Sequence, residues 1–368
     1  LRCPQPRSNW GAVLPRWFGG SPCRGMSSLW LRRRQDKSLT TIQRTGDAAS
    51  GVDTPSLSAA LISKSYELLE QIGEGSAGRV HRGVRKSDQK EVALKCLEAK
   101  DEEVLQCRKQ EYEVLRQLKH PNIVEALDFL ICGSLAVVVL SLHDGATLEV
   151  AVRTADNGCF SETQSQNLFL QLMTAVAYMH SKRVIHRDIK AENLFISHDA
   201  RTLHVGDFNT AKQLLDGGSL TMTGTMEYAA PEVLEGESPS EQQDVWSAGL
   251  CLHIMMTGSL PRRLHCFKTV DAFREAVSSK PVDWTRSQWR NASEDCKDTI
   301  GNCMAVKKMA RPEAPNVLRM PWLLGLVDQK KRSRSQTFGY SVREDLKAAQ
   351  SVALQARATV HCLFGGAN

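Results

Sequence analysis

The sequence predicts an α+β protein of two lobes, a small β-rich one followed by a larger, mostly helical one, and three observations lead there. From Tyr66 the chain breaks into short strand-like runs, YELLEQIG, GRVHRGV and EVALKCL. Beyond Ser161 the apolar residues Leu168, Leu172, Ala175, Val176 and Met179 fall on one helical stripe. At 368 residues and 42% hydrophobic, the chain is long enough for one large or two ordinary domains with real cores.

Taken in order, residues 1–60 come first. They are rich in Arg, Ser, Gly and Pro, and Trp10, Trp17 and Trp30 follow no period, so the segment reads as a disordered basic extension. It carries nine Lys/Arg against three acids, which is the whole formal excess of +6; the rest balances at 38 and 38. The positive charge is therefore not a domain face, and no nucleic-acid partner is expected. An Arg-rich start whose first acid is Asp36 also has the composition of an organelle transit peptide, which competes with a cytoplasmic location. Eleven scattered cysteines with no CxxC pair point to a reducing compartment and to small buried hydrophobes rather than disulfides or zinc. The longest apolar run, LAVVVL at 135–140, is far short of the roughly 20 residues a membrane helix needs.

The β-rich lobe, 66–142, opens with GEGSAGRV at 73–80, whose Gly73, Gly75 and Gly78 could let the backbone approach a phosphate or could simply turn a hairpin. VALK puts Lys95 on the next strand between apolar neighbours. A helical pattern follows from Glu102 to Leu118 and contains Glu111, an acid able to hold a lysine in a cleft; both charges could equally lie on the surface. Two more strand-like runs cover 123–130 and 135–142. In the helical lobe, HRDIKAENLF at 186–195 places an Asp, a Lys two residues on and an Asn five residues on in one loop: a proton acceptor, a phosphate-neutralising cation and a metal-binding amide. GDFNTAK at 206–212 offers Asp207, either a metal ligand or the acid of an ordinary turn.

In this order the motifs resemble those of the eukaryotic protein kinases: GEGSAGRV, VALK, Glu111, HRDIKAEN, DFN at 207–209, AAPE at 229–232, DVWSAG at 244–249 and Arg311. The resemblance covers roughly 66–324 and implies a bilobal kinase domain, N-lobe 66–142 and C-lobe 143–324. It implies ATP and Mg2+ as cofactors. The glycine loop, with Ser76, covers the phosphates; Lys95 binds them and Glu111 pairs with Lys95. Val80 and Ala93 roof the adenine over Phe195, Leu140 backs the pocket with Val139 as rival, and Ser141, Leu142 and His143 form the hinge. Asp188 orients the substrate hydroxyl and takes its proton, Lys190 neutralises charge, and Asn193 and Asp207 hold magnesium. Glu232 pairs with Arg311, Asp244 braces the catalytic loop, and Leu115, His186 and Phe208 stack as a column.

Lys190 and Thr225 imply protein substrates with Ser/Thr acceptors, in a kinase loosely similar to the calcium/calmodulin-dependent group. Arg187 and Thr221 imply activation-loop phosphorylation, by an upstream kinase or by the enzyme itself, against a loop that is ordered without it. Asn209, where the family uses glycine, should stiffen the hinge of that loop. Residues 325–368 form a tail: KKRSRS at 330–335, then apolar positions from Val342 to Leu363 on one helical face, suited to regulation or to packing. Two alternatives stand beside the kinase reading. A pseudokinase scaffold rests on Asn209 and the PR at 261–262; a small-molecule phosphotransferase conflicts with AAPE and DVWSAG.

Overall fold

In the computed structural model, the described residues are 62, 64–75, 78–99, 101–132, 134–208, 212–213, 226–324 and 326. Several expectations lie outside them: the disordered extension 1–60, Ser76, Asn209, Thr221, Thr225 and the helix expected over 342–363.

Five strands build the first lobe: β1 (Tyr66–Gly75), β2 (Gly78–Arg85), β3 (Lys90–Glu98), β4 (Ala126–Cys132) and β5 (Leu135–Ser141). They pair antiparallel in the order β1-β2-β3-β5-β4. Gly78 has φ +149, and a Cβ there would sit 2.0 Å from the Cys96 carbonyl oxygen, so the turn into β2 requires glycine. Alternation sorts the sheet into two faces. Tyr66, Val92, Leu94, Val137 and Val139 cluster on one; Leu97, Ala99, Ala136 and Val138 cluster on the other, with Leu140 packed against them. Helix α1 (Glu102–Arg116) lies on this second face, where Tyr112 stacks on Phe129 at 5.2 Å. The Asp101 side chain caps it by accepting from Val104 N at 2.8 Å, and Glu102 and Glu103 suit the positive end of its dipole.

The second lobe holds α2 (Leu148–Thr154), α3 (Glu162–Ser181), α4 (Pro231–Leu234), α5 (Glu241–Thr257), α6 (Val270–Ser279), α7 (Glu294–Cys303) and α8 (Ala314–Val317). A Ser161–Gln164 capping box starts α3. Helix α5 buries residues all around its circumference, from Val245 and Trp246 to Met255, as only a helix at the centre of a core can. Short strands lie over this pair: β6 (Gly145–Thr147), β7 (Val184–Ile185), β8 (Leu194–Ser197), β9 (Leu203–Val205) and β10 (Lys212–Gln213). Cys251, Cys296 and Cys303 are buried in this core as free thiols, while Cys107 and Cys266 are exposed. No described helix is long and apolar enough to cross a membrane.

Candidate active site

The loop from His186 to Asn193 has a single 3-10 turn, Ala191–Asn193, as its regular structure, so much of its shape is set from outside. Asp244, near the start of α5, supplies it. One carboxylate oxygen accepts from His186 N at 2.9 Å and from the His180 ring at 2.9 Å; the other accepts from Arg187 N at 2.9 Å. Burial works to raise the Asp244 pKa, yet the His180 bond and the other donors outweigh it, and the group lies below its ordinary value. Asp244 is therefore a fixed anion at the loop's base. Tyr228 adds a further hold, its hydroxyl accepting from Ala191 N at 3.3 Å.

Above that base, Asp188 is clasped from two sides. Lys190 Nζ lies 2.7 Å from its Oδ2, and Asn193 Nδ2 donates to the same oxygen at 3.0 Å and to the Asp188 carbonyl at 2.8 Å. The Asn193 amide nitrogen is thus spent on Asp188, and its carbonyl oxygen is the end suited to a cation. The β8–β9 hairpin pairs Leu194 with Val205, and Gly206 N donates to Asn193 O at 2.9 Å. This register carries Asp207 to the mouth of the same loop. A Cβ on Gly206 would meet Phe195 Cε2 at 2.6 Å, so glycine lets the two strands close.

Asp207 itself has φ +57 and Arg187 has φ +71, both left-handed. The turn chemistry and the metal-ligand position expected of Asp207 thus coincide: a short polar side chain tolerates this backbone, and the backbone aims the carboxylate. The carboxylate Oδ1 sits 2.5 Å from Lys95 Nζ, joining two residues 112 apart in sequence; their side chains are 33% and 15% exposed. His186, in turn, accepts from Asp188 N on Nδ1 (3.3 Å) and faces Gly206 O with Nε2 (3.1 Å), which fits a neutral ring carrying its proton on Nε2. It packs edge-on against Phe208 at 4.6 Å, and Leu115, His186 and Phe208 are all buried.

The register of the first lobe brings the other expected residues to one face. Val80 stands opposite Lys95, Ala93 opposite Leu140, and Lys95 opposite Val138. Leu140 thus shares the face of Lys95, whereas Val139, its rival, packs in the opposite cluster. Phe195 is half-buried on β8. Gly73 pairs with Val80, and Gly75 ends β1 opposite Gly78. Beyond β5, the Ser141 hydroxyl accepts from Glu125 N and bonds His143 Nε2, both at 2.9 Å; the His143 ring stacks on His204 at 3.7 Å, with Leu142 between Ser141 and His143 in the connection.

One expected contact is replaced. Glu111 does not pair with Lys95; it accepts from Arg108 Nη1 at 3.1 and 3.3 Å, while Lys95 turns to Asp207. Burial pushes the Glu111 carboxyl above its ordinary value, with Arg108 and then Lys95 opposing. Arg108 lies three residues before Glu111 on a helix, a spacing that marks the pair in sequence. His180, His204 and Tyr228 carry no comparable sequence signal. Further off, Glu232 and Arg311 form the expected pair, buried and bidentate at 2.7 and 3.0 Å.

Chemically, the site offers a carboxylate held by a cation and an amide, beside a second carboxylate on a mobile-charge partner, Lys95. The Asp207 carboxylate and the Asn193 side-chain oxygen suit a hard divalent ion that takes its remaining ligands from water and a phosphate substrate. Among the described residues no cluster of three or more His, Cys, Asp or Glu is placed to form a metal cage.

The protein kinase domain profile matches residues 66–323. Among curated proteins, the chain is similar to myosin light chain kinase A of Dictyostelium discoideum, 29% identical over 269 residues that cover 71% of this chain and 89% of that one. It is similar to serine/threonine-protein kinase PEPKR2 of Arabidopsis thaliana, 31% identical over 301 residues, 80% of this chain and 60% of the other. It is also similar to serine/threonine-protein kinase DCLK1 of Rattus norvegicus, 29% identical over 273 residues, 72% and 61% respectively.

Proposed function

This chain belongs to the protein kinase family, and from that membership we propose that it transfers the γ-phosphoryl group of ATP to serine or threonine hydroxyls of proteins. Its relatives that are named serine/threonine-protein kinases support the acceptor class. The observation that carries the reading is the clasped Asp188 beside the Lys95–Asp207 pair on a loop braced by Asp244.

In this mechanism Asp188 orients the acceptor hydroxyl and takes its proton, and the lysine on its Oδ2 keeps positive charge beside the transferring group. Asp207 and the Asn193 side-chain oxygen would hold a magnesium ion, which would supply neutralisation of phosphate charge. Lys95 binds the phosphates from β3; Val80, Ala93 and Leu140 on one side and Phe195 on the other sandwich the base. Gly73, Gly75, Ser76 and Gly78 cover the phosphates. Because every group with a chemical role is present, nothing favours the pseudokinase alternative. Arg187, half-buried beside Asp244, suits a phosphorylated Thr221 as partner, placed there by an upstream kinase or by the enzyme itself. The location that goes with this reading is the cytoplasm, with the organelle that the basic N-terminus would suit as the alternative.

Asp188→Asn tests the reading. Incubated with Mg2+, ATP and a generic basic protein, the wild type should label Ser/Thr, and the variant should lose about 10²–10⁴-fold in kcat while still binding nucleotide. A wild-type protein that binds ATP but labels nothing above the variant overturns it.

A further inference from the structure

We propose that Arg108 is a positioning residue for the nucleotide site: it competes with Lys95 for Glu111 and thereby sets how readily the ATP-binding arrangement forms. The inference rests on the kinase reading above and concerns a residue to which that reading gives no role.

Four charges lie together between α1, β3 and the end of the β8–β9 hairpin. Arg108 holds Glu111 and Lys95 holds Asp207, so each of the two carboxylates has a cation against it. Both members of the Arg108–Glu111 pair are only 22% exposed, so this is not a solvent-washed surface contact. Glu111 also feels Lys95 and Asp207 electrostatically, which makes the two pairs one network. Within it, the grip of Arg108 is one-ended. Nη1 alone serves both Glu111 oxygens, and the buried Nε has no hydrogen-bond partner. A guanidinium engaged in a two-nitrogen fork would hold more tightly. The contact is strong enough to retain Glu111 and weak enough to exchange.

Exchange is what nucleotide binding demands of these side chains. Lys95 now neutralises Asp207; were a cation bound there instead, Lys95 would be released toward the phosphates and Glu111. Arg108 Nη1 spans both Glu111 oxygens, so Glu111 turns to Lys95 by giving up at least one of those two contacts. The free protein is thus held in the Arg108-paired state, and the observed affinity for nucleotide is reduced by the fraction of molecules in that state.

The test uses the full chain and four proteins: wild type, Arg108→Gln, Arg108→Lys, and Arg108→Gln combined with Glu111→Gln. ADP affinity with Mg2+ is measured by calorimetry, steady-state kinetics by phosphoryl transfer, and hydrogen exchange over 102–116 without ligand. Arg108→Gln should bind ADP about 2- to 10-fold more tightly and lower the KM for ATP by the same factor, with kcat little changed. Its α1 amides should exchange differently from wild type before any ligand is added. Arg108→Lys should stay near wild type, and the gain should vanish in the double variant. Affinity that is unchanged or weaker in Arg108→Gln overturns the proposal, as does a gain that persists without Glu111. If Gln at this position fails to fold, Arg108→Met keeps the aliphatic stem and takes its place under the same criteria. A wild type that binds ADP but transfers no phosphoryl group would sink the kinase reading, while the affinities would still decide the role of Arg108.

Discussion

Replacing Asp244 by asparagine removes one charge and one acceptor from beneath the catalytic loop, and the structure sets the size of the effect. Three donors converge on this carboxylate, each at 2.9 Å: His186 N, Arg187 N and the His180 ring. The best asparagine rotamer leaves its carbonyl where Oδ2 was and turns its NH2 toward Arg187 N–H, donor against donor. Losing that bond costs about 1.5–3 kcal/mol, and the two that remain fall from charge-assisted to neutral strength, about 1 kcal/mol less each. The sum is about 3.5–5 kcal/mol. Most domains hold a reserve of about 5–15 kcal/mol, so the fold should survive while Arg187, with its left-handed backbone, shifts first. Asp188 is the next residue, and a displacement of about 1 Å there can cost about 10²-fold in rate. Urea unfolding followed by circular dichroism and phosphoryl-transfer kinetics on the same preparations measure both effects. The KM for ATP should move less than kcat, because Lys95, Ala93 and Leu140 are carried by the other lobe. An asparagine variant that loses under about 1 kcal/mol and keeps kcat within about twofold would refute the bracing role.

Two further predictions follow from buried charge. The Arg311 guanidinium is fully buried and bonds Glu232, Ala305 O and Gln242 O, with its Cζ 5.1 Å from the Trp246 ring centre. Arg311→Met leaves Glu232 buried and unpaired and should cost about 3–5 kcal/mol in urea unfolding, whereas adding Glu232→Leu should recover part of the loss; a double variant as unstable as the single one would contradict this. Acid should also destabilise the fold through histidines held neutral. Burial lowers His253, His120 and His143 from 6.5 to about 4. The unfolded chain therefore binds more protons than the folded one between those values, so the histidine contribution to stability falls as pH drops from about 6.5 to about 4 and levels below it, where depressed carboxylates such as Asp244 take over. His253, whose Nδ1 is 2.8 Å from Ser259 O, is the most enclosed of the three. Thermal melting of His253→Gln across this range should show a slope shallower by about 1.4 kcal/mol per pH unit; an identical slope would mean that His253 does not titrate on unfolding.

How far the sequence reaches differs from residue to residue. The two lobes and their strands were legible because alternation and helical stripes are local, and burial on one face is what makes a segment a strand or a helix. HRDIKAENLF was legible for a similar reason: Asp188, Lys190 and Asn193 lie within six residues, so one short loop brings them together however the rest folds. Asn209, Thr221 and the tail fall outside the described residues, and their roles stay as expectations. Beyond the reach of sequence lay every choice among competing partners. Leu140 and Val139 are adjacent and equally apolar; only pairing with β3 assigns them to opposite faces, since one step along a strand reverses the side chain. His180 joins Asp244 across 64 residues and His204 stacks on His143 across the hinge, contacts that no spacing encodes. Glu111 shows the limit most clearly. An acid on that helix, a lysine on β3 and an aspartate after β9 can be paired in more than one way, because attraction between opposite charges is nearly indifferent to which partner answers it. Distance and desolvation make the choice, and both are set only when α1, β3 and the hairpin are packed, with Arg108 one turn from Glu111 and Asp207 within 2.5 Å of Lys95.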